Sequence, residues 1–191
     1  EEWTDEYLSG FDAICVLNAT GLEYAFRKTE NREAFINFVK NGGGLFGIHA
    51  ATDGGKEKWP EYSAMWGGHF DCHPWGKTGT WKIENCDHGH VLNKCFHDEN
   101  FAIKDELYLH KGPYRPGAFN TLTRIDLNEK VNTHSNNGNI KTIPGDKGSD
   151  GKRGPRVDLD LTREYPTSWY KKFGQGRVFY ATFGHNESAY W

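Results

Sequence analysis

A chain of 191 residues with a net charge of −3 has room for one substantial core, and its seven Trp, nine Tyr and twelve Phe exclude the aromatic-poor composition of a disordered segment. The 23 Lys and Arg are scattered rather than gathered into a basic face, so nucleic acid is not an expected partner. No apolar run is long enough to cross a membrane, which removes the bilayer as well. The chain does not open with Met and begins in mid-pattern, so the lack of a signal peptide leaves localisation open, with periplasmic and secreted sites both allowed.

One domain over residues 1–191 is the expectation. Residues 11–17 form a near-continuous apolar run, read as a strand buried on both faces, with Cys15 in the core. A helix is expected over residues 30–40, with Thr29 as N-cap, Ala34, Phe35, Phe38 and Val39 on one face and Gly42 closing it. Residues 41–53 are the organising stretch: three glycines, the apolar Leu45, Phe46 and Ile48, then His49 followed by two alanines. A strand that stops at a histidine on a sharp turn is how an open α/β sheet presents a side chain to a ligand. Gly47 is expected to allow close packing just before that turn.

Tyr62, Met65 and Trp66 are spaced for one face of a short helix that Gly67 and Gly68 end. Extended or loop chain follows through His69 and His73, then an alternating strand over 79–86 and a second alternation at 107–110 behind the acidic pair Asp105–Glu106. Residues 128–156, rich in Asn, Gly, Lys and Asp, read as a long loop or excursion. Residues 177–183 are strongly strand-like and lead into Gly184 and His185, so a second strand ends in glycine and histidine. The four cysteines are too few for a disulfide scaffold; Cys86 and Cys95, nine apart, either close a loop in an exported protein or remain free.

The runs GGGLFGIHAATD, GGHFDCHPW, DELY at 105–108 and GQGRVFYATFGHN, in that order, resemble the ThuA-like family, named for a trehalose-utilisation protein. The resemblance implies a flavodoxin-like fold, an open doubly wound and mostly parallel sheet with helices on both faces, related to class I glutamine amidotransferases. Those relatives carry a nucleophilic cysteine at the elbow where this chain has His49, so amidotransferase chemistry is not expected. The resemblance also implies a role in sugar catabolism, including oxidised (3-keto) sugars, and an N-terminal strand that this sequence lacks.

The expected site therefore gathers His49, His73, Glu106 and His185 at strand ends. Neutral imidazoles suit a divalent ion such as zinc, with His49, His73 and His185 as ligands and Glu106 as fourth ligand or general base. The metal-free alternative uses His49 and His185 as acid and base. Asp53, Trp59, His69, Trp75 and Tyr108 are expected to bind a small carbohydrate, the aromatics by stacking and Asp53 or His69 by orienting an imidazole. The residues leave open a hydrolase or lyase acting on a glycoside or keto-sugar, a non-catalytic carbohydrate-binding module, and the choice between monomer and homo-oligomer.

Overall fold

The computed structural model describes residues 3–115, 117–134, 142–143, 152 and 154–191. Its first half runs α1 (Asp5–Leu8), β1 (Ala13–Leu17), α2 (Leu22–Ala25), α3 (Thr29–Lys40) and β2 (Gly44–Ile48). α3 buries Ala34, Phe35, Ile36 and Val39, with Glu30 in its first turn and Lys40 in its last, where the helix dipole favours those charges. Thr29 is the first helical residue rather than the cap, and extended Lys28 holds the cap position with no capping hydrogen bond from its side chain. β1 buries Ile14 and Val16 only. Cys15 is exposed, against expectation, because successive strand residues face opposite ways and it falls on the outward side.

A tight 3-10 turn, His49–Thr52, follows β2; then come α4 (Pro60–Trp66), β3 (His69–Trp75), β4 (Thr80–Asn85), β5 (Phe101–Lys104), β6 (Leu107–Lys111) and β7 (Asn120–Ile125). α5 (Lys130–Thr133), β8 (Thr142–Ile143), β9 (Val157–Asp158), β10 (Pro166–Phe173) and β11 (Gly176–Ala181) complete the order. Within the expected excursion at 128–156, α5 and β8 are formed, and residues 135–141, 144–151 and 153 lie outside the described residues. β6 is buried at Leu107, Tyr108, Leu109 and His110 in succession, so it is not the half-wet strand that its alternation suggested.

The protein is mixed α/β. Seven strands form one sheet in the order β1-β2-β11-β10-β7-β4-β5, and β3 pairs with β6 in a separate ladder. The sheet is parallel at β1–β2 and β2–β11 and antiparallel from β11 outward, so the mostly parallel arrangement is confined to three strands. The connections explain this. α3 carries the chain back between β1 and β2, as a parallel pair requires, whereas β10 reaches β11 through a turn at Gly174 and Gln175 that permits only an antiparallel hairpin.

Two apolar clusters flank the middle of the molecule. One packs Phe35, Val39, Tyr62, Met65 and Trp66 from α3 and α4 against Ile14, Leu45, Val178 and Tyr180 of the sheet. The other joins Cys72, Trp75, Leu107 and Leu109 of the β3–β6 ladder to Trp81, Ile83 and Ile125. Cys86 and Cys95 are free thiols, not a bridge.

Candidate active site

β2 and β11 lie side by side in parallel, with Ile48 opposite Ala181, so the residues after both strands leave the sheet at one edge. His49 is the first residue past β2 and His185 stands four positions past Ala181. Their meeting is a consequence of the parallel register. His49 takes a left-handed backbone, φ +48°, which costs a non-glycine residue about 1–3 kcal/mol and is held by the packing around it. That packing is close: a Cβ on Gly47 would stand 2.6 Å from the Trp66 ring and 2.9 Å from Ala51 Cβ, so only glycine lets the turn fold onto β2.

His49 is 1% exposed, and its Nδ1 lies 2.7 Å from the Thr182 carbonyl. A carbonyl only accepts, so Nδ1 carries the hydrogen and the Nε2 lone pair is turned to the other side. There it meets His185 Nδ1 at 3.2 Å and Glu106 Oε2 at 3.5 Å, and the latter two atoms are 3.3 Å apart. Donors held at about 2.0–2.1 Å from a tetrahedral ion are roughly 3.3–3.4 Å from each other. The three separations match that spacing, and among the described residues this is the group of His, Cys, Asp or Glu side chains near enough together to share an ion. Burial, aided by neighbouring His185, pushes the His49 imidazole below the ordinary histidine value, against the opposing pull of the Thr182 bond and the charges of Glu106 and Asp105. A neutral imidazole is the form that binds a cation or takes a proton.

A wall of aromatic and polar side chains continues from this group. The Tyr108 ring is 4.1 Å from that of His49, Phe70 is 4.2 Å from Tyr108, and Lys56 Nζ lies over Phe70 and 3.2 Å from Asp53. Tyr108 N–H donates to Thr182 Oγ1 at 2.9 Å, which ties β6 to the end of β11. Beneath, Thr52 donates to the Tyr180 hydroxyl, Tyr180 donates to the His49 carbonyl at 2.8 Å, and His110 Nε2 is 3.1 Å from Thr52 Oγ1. These buried polar residues support the turn, and nothing in the sequence marks them, because Tyr180 and His110 look like ordinary strand residues and Thr52 like an ordinary turn residue.

His49, Glu106 and His185 are thus brought together, whereas His73 is exposed on β3 and outside the group. The alternating side chains of β3 turn it away from Cys72, which is buried in the second cluster. Trp59 and Trp75, expected as sugar-stacking faces, are core residues at 3% and 1% exposure. Trp59 stacks on Tyr62, and Trp75 donates its indole N–H to the Asn132 carbonyl. His69 packs against Gly112 with Nδ1 buried and without a hydrogen-bond partner among the described residues, and burial, then Lys56, pushes its imidazole down.

A family model described as trehalose utilisation matches residues 1–191. The chain belongs to the ThuA family. Among solved structures, a putative ThuA-like protein of Bacteroides uniformis superposes with TM-score 0.68 at 20% identity, over 98% of this chain and 66% of its own length. A putative ThuA-like protein of Parabacteroides merdae gives TM-score 0.60 at 20% identity, over 95% and 62%. A cytoplasmic protein of Salmonella typhimurium LT2 gives 0.51 at 14% identity, over 95% and 64%. At these identities the likeness shows the fold, and the chain spans less than two thirds of the length of these ThuA-like relatives. None of the curated proteins matches significantly.

Proposed function

We propose that this ThuA-family protein is a metal-dependent enzyme of sugar metabolism, a hydrolase or lyase acting on a glycoside or its 3-keto form. The observation that carries this reading is the spacing of His49 Nε2, Glu106 Oε2 and His185 Nδ1, three donors whose mutual distances suit one divalent ion. Two imidazoles and a carboxylate leave further coordination positions open, the donor set of catalytic rather than structural sites. A divalent ion bound there would polarise a carbonyl or hydroxyl of the substrate.

The chain's own groups have distinct tasks. His49 is held in one tautomer by Thr182 and presents its lone pair, while Glu106, 13% exposed, is placed to hold the ion or to move a proton. Tyr108 and Phe70 offer apolar surface beside His49, and Asp53 with Lys56 offers hydrogen-bonding partners for hydroxyls at its rim. The sugar class rests on the family's description.

The test is elemental analysis of protein purified without chelator, followed by incubation with glycosides and 3-keto-glycosides. Near-stoichiometric zinc or manganese in the wild type, lost in His49→Ala together with turnover, is the expected result. Metal-free wild type with unchanged turnover refutes the metal, and sugar binding without turnover replaces the enzyme with a binding module.

A further inference from the structure

We infer that Asp105, not itself a ligand, is the residue that positions the site, by clamping the His185 turn to Glu106 through main-chain hydrogen bonds. This rests on the reading of His49, Glu106 and His185 as a working group. Asp105 has no solvent exposure, yet it lies in the loop between β5 and β6. Its Oδ2 accepts from Gly184 N–H at 2.5 Å and His185 N–H at 3.3 Å; its Oδ1 accepts from Asn186 N–H at 2.8 Å and Glu106 N–H at 2.9 Å. One carboxylate thus holds the peptide groups of both Glu106 and His185.

The need for such a clamp follows from topology. His49 is fixed by the turn directly after β2, but His185 sits four residues beyond β11, past Gly184 with φ +109°, in backbone that no ladder holds. Glu106 immediately precedes β6 of the separate β3–β6 ladder, whose strands are not neighbours of β11 in the main sheet. A buried carboxylate without hydrogen bonds would be costly, so the four N–H donors and the charge require each other. Burial of Asp105 is therefore possible only with the turn in this conformation, and that conformation carries His185 Nδ1 to 3.3 Å from Glu106. Asn186 adds side-chain bonds to the Lys77 and Lys104 carbonyls that close the same turn.

The experiment uses Asp105→Asn, which keeps the shape but points an NH2 at two main-chain N–H groups. Asn132→Ala, a buried polar residue in α5 bonded to Lys82, serves as the control for a merely structural loss. Two readouts apply to the folded protein: the dissociation constant for Zn²⁺, and the ring-to-ring NOE between His49 and His185, whose centroids are 5.0 Å apart. Asp105→Asn is expected to weaken Zn²⁺ binding by about 10–100-fold and remove the NOE, while Asn132→Ala lowers stability and leaves both intact. Retention of Zn²⁺ affinity and NOE in Asp105→Asn overturns the proposal. A wild type that binds no Zn²⁺ refutes the metal reading instead, and the NOE alone then decides the clamp. If Asp105→Asn does not fold, amide exchange in the wild type decides: protection of the Gly184, Asn186 and Glu106 N–H groups supports the clamp, and exchange at open-loop rates overturns it.

Discussion

His110 makes the protein's stability depend on pH in a way that can be worked from its surroundings. Its side chain is buried under the site, 1% exposed, with Thr52, Tyr180 and the rings of Tyr114 and Trp169 around it. Burial, with smaller contributions from His69 and His49, pushes the imidazole from 6.5 down to about 3. The folded value lies below the unfolded one, so folding favours the neutral form. Stability is whole above about pH 6.5 and falls as the pH drops toward about 3, because the unfolded chain takes up the proton first. Between about pH 7.5 and about pH 5 the loss from this residue is about 2 kcal/mol, or about 1 M in urea midpoint for a slope of about 2 kcal/mol/M. The assay is urea unfolding of wild type and His110→Gln at both pH values. Gln can still reach Thr52 and Tyr180 but does not titrate, so the variant should lose about 2 kcal/mol less than wild type over that interval. Equal losses in the two proteins would refute the assignment.

Other outcomes follow from packing. Gly47→Ala drives a methyl into Trp66 and Ala51 and should cost about 1–3 kcal/mol, lowering Tm by roughly 2–4 °C per kcal/mol; an unchanged thermal melt would contradict the close approach. Trp75→Ala should cost about 3–5 kcal/mol in denaturant unfolding, and carbohydrate affinity, measured calorimetrically on the folded fraction, should stay at the wild-type value. Arg124 makes two 2.8 Å bonds to Glu84 and also pairs with Glu164 at a partly exposed position. Arg124→Met should cost about 1 kcal/mol at low salt, and the difference should shrink in about 1 M NaCl.

The placement of His49 and His185 at strand ends was readable because its signals are local. A glycine-rich entry, three apolar residues and a histidine before two alanines describe a strand and its turn, and the same logic found His185 after β11. That Glu106 joins the group and His73 does not was not local. Glu106 immediately precedes β6 and His73 lies within β3 of the same ladder, and whether the His73 side chain faces the centre depends on which face of β3 packs on the second core. Trp59 and Trp75 misled for a related reason: a large aromatic near a candidate ligand fits a binding face and a core equally well until its neighbours are known.

By itself the sequence determined the elements: α3 from its 3.6-residue apolar stripe, β2 and β11 from their apolar runs, the turn from Gly47 and His49, and the family from four motifs in order. The tertiary structure alone decided how those elements pair. The parallel register of β2 beside β11 put His49 and His185 at one edge, and the Gly174 turn made β10 antiparallel to β11. It also decided that adjacent Asp105 and Glu106 do different things, one buried on four N–H groups and the other facing two imidazoles. Hydrogen bonds and donor groups depend on distances between residues far apart in the chain, and periodicity within one segment carries no information about those distances.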